Sequence, residues 1–171
     1  MADRVPDNLE AALRAADEAL IKVEMVGGIP VWEGMPSPKH QRVVQQIGQS
    51  VRRIGGHEGD CGCFSLIDVT IRFPDGSFKR PDVAIFCRQP DDDLPSVEIM
   101  PEAVVEVLSR GYEAKDLEIG LPFYEALSIA DIVIVDPRTF DVLHVQKGAR
   151  RQFQAPVELD LLCGCRIHIP V

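Results

Sequence analysis

Two acids stand in settings that ordinary surface carboxylates avoid. Asp82 opens the run Asp82-Val83-Ala84-Ile85, and Glu106 sits inside Val104-Val105-Glu106-Val107-Leu108. Placing a carboxylate among aliphatic side chains is costly unless a cation or a hydrogen-bond network compensates it. If the two runs are neighbouring strands, about 4.8 Å apart, their carboxylates can share a hard divalent cation, Mg2+ or Mn2+. Such an ion keeps positions open for water and a phosphate oxygen, which is what phosphodiester hydrolysis needs. The Val107 carbonyl is a third candidate ligand. Lys115, on the segment that follows, can orient the attacking water or stabilise developing negative charge. A structural reading stands beside this one, with Asp82 capping a turn and Glu106 in an ion pair, since such pairs also bury acids. The isolated residues leave both open.

The elements that must position these residues read as follows. Asn8 can cap a first helix rich in Ala and Leu over residues 9–20. Two strand-like runs flank Gly27-Gly28 and form a hairpin. Ser37 as N-cap and Pro38 at the first helical position open a second helix. Val43, Val44, Ile47, Val51 and Ile54 fall on one face of it, and Gly55-Gly56 ends it. Residues 61–73 and 78–87 read as an antiparallel hairpin around Pro74-Asp75-Gly76-Ser77. The Glu106 run is a central strand buried on both faces. Residues 112–129 read as a helix that Pro122 kinks or splits. Residues 131–137 form another buried strand, and the rest is a closing meander. Helix, hairpin, helix, hairpin, strand, helix and strands in this order give an α+β fold with a mixed central sheet flanked by helices, in a single domain over residues 1–171.

Composition agrees with one soluble domain: 171 residues, 46% hydrophobic and 26% charged. No apolar run reaches the roughly 20 residues that span a bilayer. The acidic N-terminal segment lacks the apolar core of a secretory signal, so the expected location is the cytoplasm. The net charge of −9 argues against a generic nucleic-acid binder but not against a nuclease, whose metal-holding acids add negative charge. Basic residues do gather at Lys39, His40 and Arg42, at Arg52 and Arg53, and at Lys147, Arg150 and Arg151. Solvated faces explain such groups equally well. His57, His144 and His168 have no partner that spacing reveals.

Five cysteines, Cys61, Cys63, Cys87, Cys163 and Cys165, form two Cys-Gly-Cys pairs and one single residue. The expectation is reduced thiols buried as small hydrophobes. Zinc held by four thiolates is the alternative. Residues two apart on a strand share a face, yet the spacing is shorter than that of the usual zinc knuckle.

Several short motifs, taken in order, resemble the Uma2 (DUF820) family of the PD-(D/E)XK nuclease superfamily. The hairpin VEMVGGIPVWEG leads into Ser37-Pro38-Lys39-His40-Gln41. Pro81-Asp82, Glu106-Val107-Leu108-Ser109, Lys115-Asp116-Leu117, Tyr124 and Val135-Asp136-Pro137 follow, so the resemblance covers residues 22–170. It implies a PD-(D/E)XK fold and metal-dependent endonuclease cleavage of DNA, with Asp82, Glu106 and Val107 at the metal. It also implies Glu24 as a further site acid, which a half-exposed strand acid would equally explain. His40, in the first turn of the second helix, is a candidate phosphate contact beside Lys39 or a donor to Glu24, and a structural histidine at a helix start fits equally well. Two-site nucleases make a homodimer plausible. In this family Leu replaces the lysine two residues after the site Glu, as Leu108 does here. Relatives supply that lysine from the following helix, where this chain has Gly120. Lys115, one turn earlier, is the expected substitute. A binding or regulatory module that kept the fold and lost turnover is the rival expectation.

Overall fold

The computed structural model describes residues 7–170, with side chains from residue 11. Helix α1 (Asp7–Glu18) precedes the hairpin β1 (Lys22–Val26) and β2 (Ile29–Glu33). That hairpin pairs antiparallel with Lys22 opposite Glu33. Helix α2 (Pro38–Ser50) begins as its sequence dictates: the Ser37 hydroxyl accepts the His40 amide at 3.2 Å, and Pro38 occupies the first turn. It ends before Gly55-Gly56, contrary to the sequence reading. Val51 is extended, and β3 (Arg52–Arg53) pairs with the last strand, so tertiary pairing overrides the helical apolar spacing.

The expected hairpin at the centre forms, but it is shared between two sheets. Its tip, β5 (Ile71–Arg72) and β6 (Phe78–Lys79), joins β1 and β2 in the order β2-β1-β6-β5. Gly76 at φ +83° closes its turn, where Asp75 accepts the Ser77 amide and hydroxyl. Its base, β4 (Phe64–Ile67) and β7 (Val83–Phe86), enters the central sheet. The break falls at residues 68–70 and 80–82, so Pro81-Asp82 sits where one strand passes from one sheet to the other.

The central sheet runs β11-β10-β9-β8-β7-β4, with β8 (Ala103–Val107), β9 (Asp131–Val135), β10 (Asp141–Gln146) and β11 (Ala149–Gln154). Only β8 and β9 pair in parallel within it, so the sheet is mixed, as expected. β12 (Val157–Asp160), β13 (Cys165–Ile169) and β3 form a third sheet. Every residue of β7, β8 and β9 is buried. Alternate side chains then divide into two cores. Val83, Ile85, Val105 and Val133 meet α2, Ile167 and Ile169 on one face. Ala84, Phe86, Val104 and Ile132 meet Phe73, Leu121 and Tyr124 on the other.

The segment after β8 is helical in two pieces. Lys115–Gly120 is wound as a π-helix, with the Leu121 amide donating to the Asp116 carbonyl, five residues back. It runs into α3 (Leu121–Ala126), where Pro122 occupies the first turn. Proline lacks the amide a continuous α-helix would need at that position, so the split is the one the sequence predicts.

The cysteines depart from the expectation of reduced thiols. Cys61 is bonded to Cys87, and Cys63 to Cys165, leaving Cys163 free. The folding path of residues 54–63, which carries Cys61 and Cys63 to the far end of β7, has no signature in sequence spacing. No helix among the described residues is long and apolar enough to cross a membrane.

Candidate active site

Asp82 and Glu106 meet. The register Val83↔Val105 and Ala84↔Val104, carried one residue further, sets Asp82 opposite Glu106. Both side chains then lie on the sheet face of Ala84, Val104 and Tyr124. The two residues are cross-linked. The Asp82 amide donates to Glu106 Oε2 at 3.3 Å, and the Val107 amide donates to Asp82 Oδ2 at 2.7 Å. Glu106 Oε1 accepts the Tyr124 hydroxyl at 2.8 Å.

Around this pair stands a ring of buried charges supplied by the hairpin, the strand break and the helical arm. Lys22 and Glu24 lie two apart on β1 and so share a face, with Glu33 opposite Lys22 on β2. Lys22 Nζ lies 3.4 Å from Asp82 Oδ1, 3.5 Å from Glu33 and 3.4 Å from Asp68. Glu24, 1% exposed, accepts Lys79 Nζ at 2.7 Å and the Arg80 amide at 2.8 Å. The half-exposed alternative for Glu24 does not hold, because β1 is covered on this face. Lys115 Nζ lies 2.6 Å from Asp116, 3.4 Å from Glu33 and 3.8 Å from Glu24.

His40 joins the ring from the first turn of α2. Its Nε2 lies 2.8 Å from the Val107 carbonyl and 3.2 Å from Asp82 Oδ2. A carbonyl can only accept, so Nε2 carries the hydrogen. His40 Nδ1 is buried without a hydrogen-bond partner among the described residues. Lys39, in contrast, is exposed and lies 5.5 Å from the Phe140 ring centroid, away from the acids.

Sequence reasoning missed Lys79. It is fully buried, with Nζ 3.9 Å from Glu106 Oε1 and 5.2 Å from the Tyr124 ring centroid. A Cβ on Gly120 would stand 3.4 Å from this ammonium and 3.2 Å from the Lys115 carbonyl. Lys79 therefore fills the space beside residue 120, where the resemblance led to the expectation of a helix lysine. The signal was present: a lysine three residues before Asp82, in a chain whose helix has glycine at the expected place. Lys22, Glu33 and Asp116 were also missed, because only the hairpin register and the π-turn bring them together.

The electrostatics are asymmetric. Burial alone would raise the carboxyl of Asp82, yet Lys22 and His40 outweigh it and hold Asp82 well below the usual range. Glu24 is likewise brought down to about 2, because Lys79, Lys115 and Lys22 overcome its burial. Glu106 goes the other way. Burial pushes it up to about 8, with Asp116 and Asp82 adding to the rise against Lys115 and Lys79. Burial likewise lifts Asp116 to about 6. Burial would lower His40, but the Asp82 carboxylate and the Val107 carbonyl raise it above its ordinary value. Lys115 is raised far above its ordinary value, since Glu106, Glu24, Asp116 and Glu33 outweigh its burial.

Asp82, Glu106 and the Val107 carbonyl lie at one end of β7 and β8, and Lys79 links Glu24 to Glu106. Five buried acids, Glu24, Glu33, Asp82, Glu106 and Asp116, face two buried lysines, Lys79 and Lys115, and the partly buried Lys22. The donors are those a Mg2+ or Mn2+ ion takes. The surplus of acids over lysines is negative charge that such an ion would offset. The donor set fits the ion. A cavity of roughly 190 Å³ opens onto Asp82, His40, Lys22 and Glu33 from the surface between α1 and α2.

The family model Uma2, described as "Putative restriction endonuclease", matches residues 8–163. Among solved structures, the fold is similar to "a putative nuclease belonging to DUF820" from Anabaena variabilis. That match has a TM-score of 0.59 at 15% identity and covers 81% of this chain and 80% of that one. No curated protein matches the sequence.

Proposed function

The chain belongs to the Uma2 family, and from that membership we propose that it is a metal-dependent endonuclease hydrolysing DNA phosphodiester bonds. The observation that carries this reading is the reciprocal cross-strand pair, in which the Asp82 amide holds Glu106 and the Val107 amide holds Asp82. Asp82, Glu106 and the Val107 carbonyl would hold Mg2+ or Mn2+. When bound, the ion supplies Lewis-acid polarisation of a phosphoryl oxygen and a more acidic water. This chain's residues do the rest. Glu24 aims the Lys79 ammonium at Glu106. Lys79 then stabilises negative charge developing on the phosphate and orients the attacking water. Lys115, whose proton is held too tightly to be given up near neutrality, fixes Glu33 and Asp116 and adds positive field. His40 stands at the cavity mouth as a phosphate contact, and Lys39 reaches DNA only at the outer surface. The chain acts as a single domain in the cytoplasm, with a second copy supplying the cut in the other strand.

A cleavage assay on plasmid DNA with Mg2+ or Mn2+ tests the proposal. Nicking or linearisation by the wild type, absent with Asp82→Ala and with Glu106→Ala, is expected. Cleavage that survives Asp82→Ala removes the site from the mechanism. A second reading, a nuclease-like module without turnover, is favoured by one observation. The Lys22 ammonium lies among Asp82, Glu33 and Asp68, where a cation would enter. If the wild type neither cuts nor binds Mn2+ by titration calorimetry while Lys22→Met binds it, the second reading stands.

A further inference from the structure

We propose that the five cysteines, when reduced, form a separate zinc site in which four thiolates hold one ion. The sulfurs come from three parts of the chain, at residues 61–63, 87 and 163–165, and converge. Those of Cys61, Cys87 and Cys163 lie within 4.8 Å of one another, as do those of Cys61, Cys63 and Cys165. Cys61 and Cys165 are 3.5 Å apart although each is bonded to a different cysteine. Four sulfurs placed tetrahedrally around zinc at about 2.3 Å stand about 3.8 Å from one another. Cys61 and Cys165 already stand close to that spacing, and the two bonded pairs are free to open to it on reduction. Cys163, free beside the Cys61–Cys87 pair, is a further sulfur within reach of such a site.

The backbone is shaped to bring these sulfurs together. A Cβ on Gly62 would come within 2.3 Å of the Phe64 ring and 3.1 Å of the Cys87 carbonyl, to which the Gly62 amide donates at 2.7 Å. Gly164 lies at φ +88°, and a Cβ there would come within 2.4 Å of His57. Both glycines between paired cysteines are thus required by the close approach. The Leu161 amide donates to the Cys165 carbonyl and the Gly164 amide to the Leu161 carbonyl, making a tight turn that presents Cys163 and Cys165. Cys61 and Cys165 are buried and the other three are partly covered, so an ion there would be shielded from water. The site is distinct from the acids. Cys87 follows β7 and Asp82 precedes it, about 17 Å apart along an extended strand.

Reduction precedes loading. A phosphine takes the oxygen of one water and becomes its oxide, and each disulfide gains two electrons and two protons to give two thiols. Four thiols then release their protons as they bind the ion.

The test uses the full chain, reduced with a phosphine under nitrogen, incubated with zinc and freed of excess metal. One zinc per reduced chain and none per oxidised chain are expected. Alkylation of the loaded chain should modify one cysteine, and all five after chelation in denaturant. Cobalt in place of zinc should give the intense charge-transfer and visible bands of a tetrahedral thiolate site. Asp82→Ala should retain the zinc, and Cys61→Ser, which belongs to both sulfur triads, should lose it. Should Cys61→Ser fail to fold, the alkylation count and the cobalt spectrum of the wild type decide. Substoichiometric zinc in the reduced chain, five cysteines equally reactive with and without zinc, or zinc lost with Asp82→Ala overturns the proposal.

Discussion

Lys79 is the residue on which the proposed chemistry turns, and the one that spacing alone did not select. The alternative lysine, Lys115, touches Glu33, Asp116 and Glu24, whereas Lys79 approaches both Glu24 and Glu106. Removing Lys79 also leaves Glu24 buried without its partner, which costs about 3–5 kcal/mol, so lost activity alone is ambiguous. The discriminating variant moves the lysine to the helix position beside it. Lys79→Met should reduce cleavage by about a hundredfold, and Gly120→Lys in the same chain should restore part of it. Equal loss in the double variant at unchanged melting temperature would make Lys79 structural. Tyr124→Phe should keep the fold at a cost of about 1–3 kcal/mol, since Glu106 Oε1 loses a buried donor, and denaturant titration measures this.

Glu106 also gives the metal-free protein a pH dependence. Its carboxyl, pushed from an ordinary 4.5 up to about 8 by burial, is flanked by Lys115, Asp116, Lys79 and Asp82. The folded chain therefore binds a proton that the unfolded chain has released. The stabilisation is complete below about pH 4.5 and is lost as the pH rises through 8, with Asp116 at about 6 adding in the same direction. Melting temperature without metal should fall over this window, and the fall should shrink in Glu106→Gln. A wild-type profile that rises across it would contradict the buried-proton account.

At the scale of elements, the site depends on interruptions more than on regular structure. The central hairpin breaks at Arg80-Pro81-Asp82, and that break turns Asp82 to face Glu106 while Lys79 stays with β1. The π-turn at Lys115–Gly120 swings Lys115 towards Glu33 and packs Gly120 against Lys79. Helix α2 delivers His40 through its cap. Ser37→Ala should cost about 1 kcal/mol and should weaken the His40 contact with Val107, visible as a changed imidazole chemical shift. An unchanged shift would show that packing of Val43 and Val44, not the cap, sets the angle of α2.

Across the whole molecule, the sequence was most legible where periodicity and burial coincide. The buried runs around Glu106 and residues 131–135, the Gly27-Gly28 hairpin and the Ser37-Pro38 helix start all follow from local pattern. Asp82 and Glu106 were legible because acids inside aliphatic runs demand compensation. The rest depends on long-range register. Lys22 meets Asp82, and Glu24 meets Lys79, only because the hairpin tip pairs with β1. Asp131 and His144 form a buried pair at 2.7 Å through the register of β9 and β10, a partner that spacing did not reveal. The end of α2 was misplaced because β13, more than 100 residues on, takes Arg52 and Arg53 into a strand. The cysteine bonds were missed for the same reason.

Anomalous diffraction from crystals soaked in Mn2+ decides whether Asp82 and Glu106 share one cation. A single strong manganese peak within coordination distance of both carboxylates, at the end of β7 and β8, is expected. A peak only among the exposed acids Asp91, Asp92 and Asp93, or none with Lys22 still against Asp82, would contradict it.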